Sequence, residues 1–180
     1  MNNKRTDILR LTLSAICLAL CMVLPFLTGQ IPQIGSMLSP MHIPVLLCGF
    51  LCGPAYAAAV GALAPLLRFA LFGMPPLFPT GAAMCFELLT YGLVSGVLYR
   101  RLCGSRGAVY AALIAAMLAG RAVWGVVSAV LLTASGAGFT WAAFVAGAFV
   151  NAVPGIVLHI ALIPVIVMAL ERALPWMKRN

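Results

Sequence analysis

The chain has 180 residues, 64% of them hydrophobic and only 8% charged, which excludes a soluble domain of ordinary composition. Its net charge of +8 rests on eleven basic residues, nine of which stand in three short clusters beside apolar runs. That placement follows the positive-inside rule for membrane proteins rather than a groove that tracks phosphates, so a nucleic-acid partner is excluded.

At roughly 20 residues per crossing, the length accommodates about six spans with short loops. The expected fold is an all-α integral membrane protein, one six-helix domain over residues 1–180. Its second span is short, and its first outer loop is re-entrant or gating.

Lys4, Arg5 and Arg10 precede the first apolar run, as in a signal peptide. Leu20 stands where a lipoprotein cleavage box before Cys21 needs a small residue. Five more apolar runs follow, so an uncleaved first span from about Ile8 to Thr28 is expected. Gly29–Pro40 is an uncharged loop rich in proline and glycine. Span 2 has about a dozen residues from Met41 to the Gly53-Pro54 break, too few to cross alone, so the loop before it is expected to dip into the membrane. Span 3 runs from Pro54 to Phe72, and the Gly73–Pro79 loop after it reads, like Gly29–Pro40, as a lid. Span 4 covers about Thr80–Tyr99, and the connector holding Arg100, Arg101 and Arg106 leads to span 5, about Ala108–Thr133.

Charge placement makes residues 41–73 a hairpin rather than one broken span. Both termini and the arginine connector then share the cytoplasmic side, and the opposite loops carry no basic residue. The same rule rejects a seventh span within Phe139–Leu170. Phe139–Val150 is expected to lie at the outer surface, with span 6 beginning near Asn151-Ala152-Val153-Pro154.

Few polar residues remain at membrane depth, and an ionisable group there reads as a site by default. Arg68 lies toward the outer end of span 3 and Glu87 toward the outer end of span 4. Similar depth makes a structural ion pair between them one reading; a ligand contact for Arg68 is the other. Arg121 then lacks an acid, since Asp7 and Glu171 stand at the cytoplasmic ends. Backbone carbonyls or an anionic ligand group would be its partner, with Trp124 one turn away. His42 opens span 2, Asn151 opens span 6, and Gln33 lies in the loop above. The substrate-binding candidates are therefore Arg121, Trp124, Arg68, Glu87, Asn151, His42 and Gln33. His159, on an apolar helix, reads as a packing residue.

Cys17/Cys21 and Cys48/Cys52 share helix faces but read as small packing residues, and no histidine lies at metal-ligand spacing from another. Paired carboxylates, His-Glu-x-x-His, Gly-x-Ser-x-Gly and a Gly-x4-Gly-Lys phosphate loop are all missing. Neither catalysis nor a cofactor of the chain's own is expected. Small residues recur at four-residue spacing in Ala15/Ala19, Gly92/Gly96 and Ala116/Gly120, each a place for another helix to approach closely.

These residues together resemble the substrate-capturing S-components of energy-coupling-factor (ECF) vitamin transporters. The likeness rests on the six spans, on Ala15-x-x-x-Ala19, and on the runs LSPMHIPVLLCGFLCGP, GALAPLLRFALFGMPP and FELLTYGLVSGVLYR. It implies high-affinity capture of a vitamin from outside, with Gly29–Pro40 as the gating loop. It also implies docking of the first helix, at Ala15 and Ala19, on a transmembrane coupling subunit with two ATPases, in a bacterial cell membrane. The second-to-fourth-span block is most like pantothenate-type members; riboflavin, biotin, folate or a corrin stay open. Two intramembrane arginines against one glutamate favour a carboxylate-bearing ligand over a cation such as thiamine. The rival readings are a solitary secondary transporter, with Glu87 as its coupling carboxylate, and a non-transport membrane scaffold.

Overall fold

A computed structural model describes residues 3–28, 31–102 and 106–173. Among them every regular element is helical. Helix α1 (Asn3–Val23) tightens into a 3-10 turn, Leu24–Thr28, at Pro25. The others are α2 (Pro32–Leu38), α3 (His42–Cys52), α4 (Pro54–Phe72), α5 (Ala82–Arg101), α6 (Arg106–Ala134), α7 (Trp141–Val145) and α8 (Val153–Ala173).

Five stretches are long and apolar enough to cross a membrane: Lys4–Leu27, Pro54–Phe72, Leu77–Arg101, Gly107–Ala134 and Trp141–Ala173. With the shorter apolar α3 they make the six expected helices of an integral membrane protein. Helix α3 has 11 residues, a rise of about 16 Å, roughly half of a hydrocarbon core. It tolerates that length because it faces protein: every residue from His42 to Phe50 is buried. Helices α1, α4, α5 and α8 all pack on it. Its C-terminal end is held by Arg100, whose Nη2 donates to the Cys52 carbonyl at 3.3 Å.

Two helix pairs depend on bare backbone. A Cβ at Gly92 would lie 2.5 Å from the Ala57 carbonyl carbon, and one at Gly96 would lie 2.6 Å from Pro54 N. Gly92/Gly96 thus serves contact within the chain, where α5 meets α4. Ala116/Gly120 does the same on α6: Ala116 is buried, and a Cβ at Gly120 would strike the Tyr91 ring. Ala15 and Ala19 differ, for both are exposed on α1 beside exposed Leu11, Ile16 and Leu20. The opposite stripe of α1 buries Ser14, Cys17 and Cys21 against α3, where Cys48 Sγ lies 3.6 Å from Ser14 Oγ. The thiols Cys17, Cys21, Cys48 and Cys52 are free and buried in the core, as packing residues.

One expectation needs correction. The stretch read as a bare loop between spans 1 and 2 contains α2. Pro32 supplies the preset φ that suits a first helical position, and Ser39 ends the helix in the left-handed conformation at φ 48°. Gly155 lets α2 lie on α8, since a Cβ there would come 2.5 Å from the Met37 carbonyl oxygen. Residues 139–150, expected at the outer surface, form α7 and one wide turn, Ala146–Val150, before the chain turns at Asn151-Ala152 into α8.

Candidate functional site

The basic residues Arg10, Arg100, Arg101 and Arg172 lie at one end of the bundle, on the first turns of α1 and the last turns of α5 and α8. The opposite end holds a cavity of about 530 Å³, a volume in the range of small-molecule sites. Six of the seven candidate binding residues line it: His42, Arg68, Glu87, Arg121, Trp124 and Asn151. Gln33 belongs to α2, but its side chain lies outside the described residues. Six helices meet here because their chain reversals alternate, which brings the C-terminal ends of α1 and α4 and the C-terminal half of α6 beside the N-terminal ends of α3, α5 and α8.

The charges pair differently from the expectation. Glu87, 1% exposed, takes Arg121 Nη1 at 3.0 Å and His42 Nε2 at 3.5 Å on its Oε1. Tyr91, one turn along α5, donates its hydroxyl to the same oxygen at 3.1 Å. No ion pair joins Arg68 to Glu87 among the described residues, and Arg121 is not the arginine left without an acid. Similar position along two helices says nothing of rotation about each helix axis. Glu87 points toward α3 and α6, whereas Arg68 points to α1. There its Nη1 donates to the Met22 carbonyl at 2.7 Å. Pro25, three residues on in a 3-10 stretch, has no N–H to give that carbonyl. The guanidinium carbon of Arg68 stands 5.3 Å from the ring centres of both Phe26 and Phe72, within cation–π reach.

Beside this cluster, His42 stacks on His159 at 6.1 Å and meets the Tyr91 ring edge-on at 5.1 Å. His159 is 3% exposed and packs as expected, though its Nε2 has no hydrogen-bond partner among the described residues. Trp124 forms an apolar wall, set between Phe139 and Phe144 at 6.1 and 6.4 Å. Gly147 lets the wide turn after α7 press on the indole.

The two segments read as lids both reach the cavity. Ile31, Gly35, Ser39 and Pro40 line it from one side, and Met74, Pro75 and Pro76 from the other. Thr80, Met84 and Gly147 also line it and were not singled out from sequence. A methionine or glycine on an apolar helix gives no signal that separates a cavity wall from packed core.

Comparison with protein families matches residues 9–167 to the family described as "ECF transporter, substrate-specific component". No curated protein and no solved structure matches the chain. The match covers most of the length and agrees with an apolar helical bundle that encloses a small-molecule cavity. This multi-pass membrane protein belongs to the family of ECF transporter substrate-specific components.

Proposed function

We propose that the 530 Å³ cavity is where this S-component captures its substrate, a carboxylate-bearing vitamin of the pantothenate type. One observation carries the reading: the polar residues at membrane depth converge on a single cavity, at the end of the bundle away from the arginine clusters. Under the positive-inside rule those clusters mark the cytoplasm, so the protein sits in a bacterial cell membrane with both termini cytoplasmic and the cavity opening outward. Helix α2 and the Gly73–Pro79 loop act as its lids. Binding uses no cofactor of the chain's own. ATP hydrolysis belongs to the two ATPases of the ECF module, reached through the coupling subunit. Glu87, the carboxylate that an ion-coupled solitary transporter would use, is already held by Arg121, His42 and Tyr91.

The cavity assignment is tested by filling it. Thr80→Trp should abolish binding of whichever vitamin in a panel the purified native chain binds, while the melting temperature stays near native. Persistence of binding in Thr80→Trp sinks the assignment.

Orientation is tested by single cysteines at positions 33 and 105 in a cysteine-free background. An impermeant thiol reagent applied to intact cells should label position 33 alone; labelling of position 105 overturns the topology.

Docking follows from the exposed small face of α1. Ala15→Leu or Ala19→Leu should stop the coupling subunit and ATPases from co-purifying, yet leave ligand binding by the isolated chain intact. A complex that survives both substitutions removes this face as the docking site.

A further inference from the structure

We propose that Arg68, not Arg121, receives the ligand's anionic group, and that the Glu87–Arg121–His42 cluster reads a neutral hydroxyl or amide elsewhere on the same ligand. The inference rests on the cavity being the ligand site. Charge compensation separates the two arginines. Arg121 has a carboxylate at 3.0 Å, so its charge is answered within the protein. Arg68 is 4% exposed and has no carboxylate within ion-pair distance among the described residues. Its bond to the Met22 carbonyl uses one of the five N–H donors of a guanidinium. Flanking rings soften the burial of the charge but do not neutralise it. A buried, uncompensated cation on a cavity wall is stabilised by an anion brought into that cavity.

The other pole has the opposite character. Glu87 and Arg121 cancel, and a second carboxylate placed there would meet Glu87 at close range. What the pole offers is unused hydrogen-bonding capacity. His42, 3% exposed and on the cavity wall, has an Nδ1 with no hydrogen-bond partner among the described residues. A neutral hydroxyl or amide can satisfy that nitrogen without adding charge. Between the poles the walls are Met41, Met84, Pro75 and Trp124, which suit an apolar or branched middle. One surplus cation among apolar neighbours fits a monoanionic carboxylate and disfavours a doubly charged phosphate. The ligand class is therefore a small carboxylate with neutral polar groups held away from its acid end.

The probes are two acids, each with a neutral counterpart: pantothenate with its alcohol, panthenol, and biotin with its amide. Binding is measured on the purified full chain by titration calorimetry. For at least one pair, the native protein should bind the acid about 10- to 100-fold more tightly, as expected for a charged hydrogen bond. Arg68→Gln, which keeps an N–H for Met22, should bring the acid down to the level of its neutral counterpart. Glu87→Gln/Arg121→Gln, which removes two opposite charges together, should weaken both members alike and leave their ratio unchanged.

The assignment is overturned by native protein that binds neither acid, or that binds acid and neutral form equally. It also falls with an Arg68→Gln protein that keeps the preference, or with a double variant that loses it. Should Arg68→Gln fail to fold, the native protein and the double variant still decide the question. Failure of the cavity reading looks different, since binding would then survive Thr80→Trp whatever the acid-to-neutral ratio.

Discussion

Glu87→Gln is expected to destabilise the protein by about 3–5 kcal/mol, the scale for removing one partner of a buried ion pair. The carboxylate is 1% exposed, pairs with Arg121 at 3.0 Å, accepts from the Tyr91 hydroxyl and has His42 Nε2 at 3.5 Å. A glutamine there keeps the shape and loses the charge, which leaves the Arg121 guanidinium at membrane depth without its counter-ion. Arg121→Gln should cost less, because its side chain is 12% exposed and Glu87 still has His42. The double variant should regain most of the loss, since replacing both charges leaves no uncompensated ion. Thermal unfolding in detergent, followed by gel filtration, measures all four proteins of the cycle. If the losses of the single variants simply add in the double variant, the pair is not coupled and the described geometry is wrong.

The sequence revealed the number and order of the apolar membrane helices because those follow from quantities that add along a chain. Apolar length sets where a helix crosses, and arginine placement sets which ends lie together. The shortness of α3 was legible for the same reason, as eleven residues cannot cover a hydrocarbon core. Depth was legible too, and six of the chosen residues line one cavity. What sequence does not encode locally is rotation about each axis. Arg68 and Glu87 were matched by depth, but Arg68 turns toward Met22 of α1 while Glu87 faces His42 and Arg121. Helix α2 was missed because proline and glycine in an uncharged stretch outweighed the cue that Pro32 suits a first helical position. Thr80, Met84 and Gly147 were missed because only the packed bundle places them on the cavity.

Gly92→Leu is expected to prevent the bundle from assembling, whereas Ala15→Leu, a change of one carbon less in a similar small-residue motif, leaves it folded. Both positions belong to small-x-x-x-small pairs, and sequence alone does not separate them. Their surroundings do. A Cβ at Gly92 would sit 2.5 Å from the carbonyl carbon and oxygen of Ala57, and helix backbone cannot swing aside as a side chain can. Leucine there must force α4 away from α5, which also displaces Gly96 from Pro54 and opens the wall that carries Glu87. Overpacking alone costs about 1–3 kcal/mol where side chains can adjust; with backbone as the obstacle the loss should exceed that range. Ala15 faces outward, so a leucine there meets only whatever covers α1 from outside. Fluorescence-detected gel filtration of the two variants should show an aggregated or absent Gly92→Leu and a monodisperse Ala15→Leu melting within about 2 °C of native. A Gly92→Leu protein that melts at the native temperature would show that α4 and α5 do not approach as described. With that approach would go the wall on which Glu87 meets His42 and Arg121.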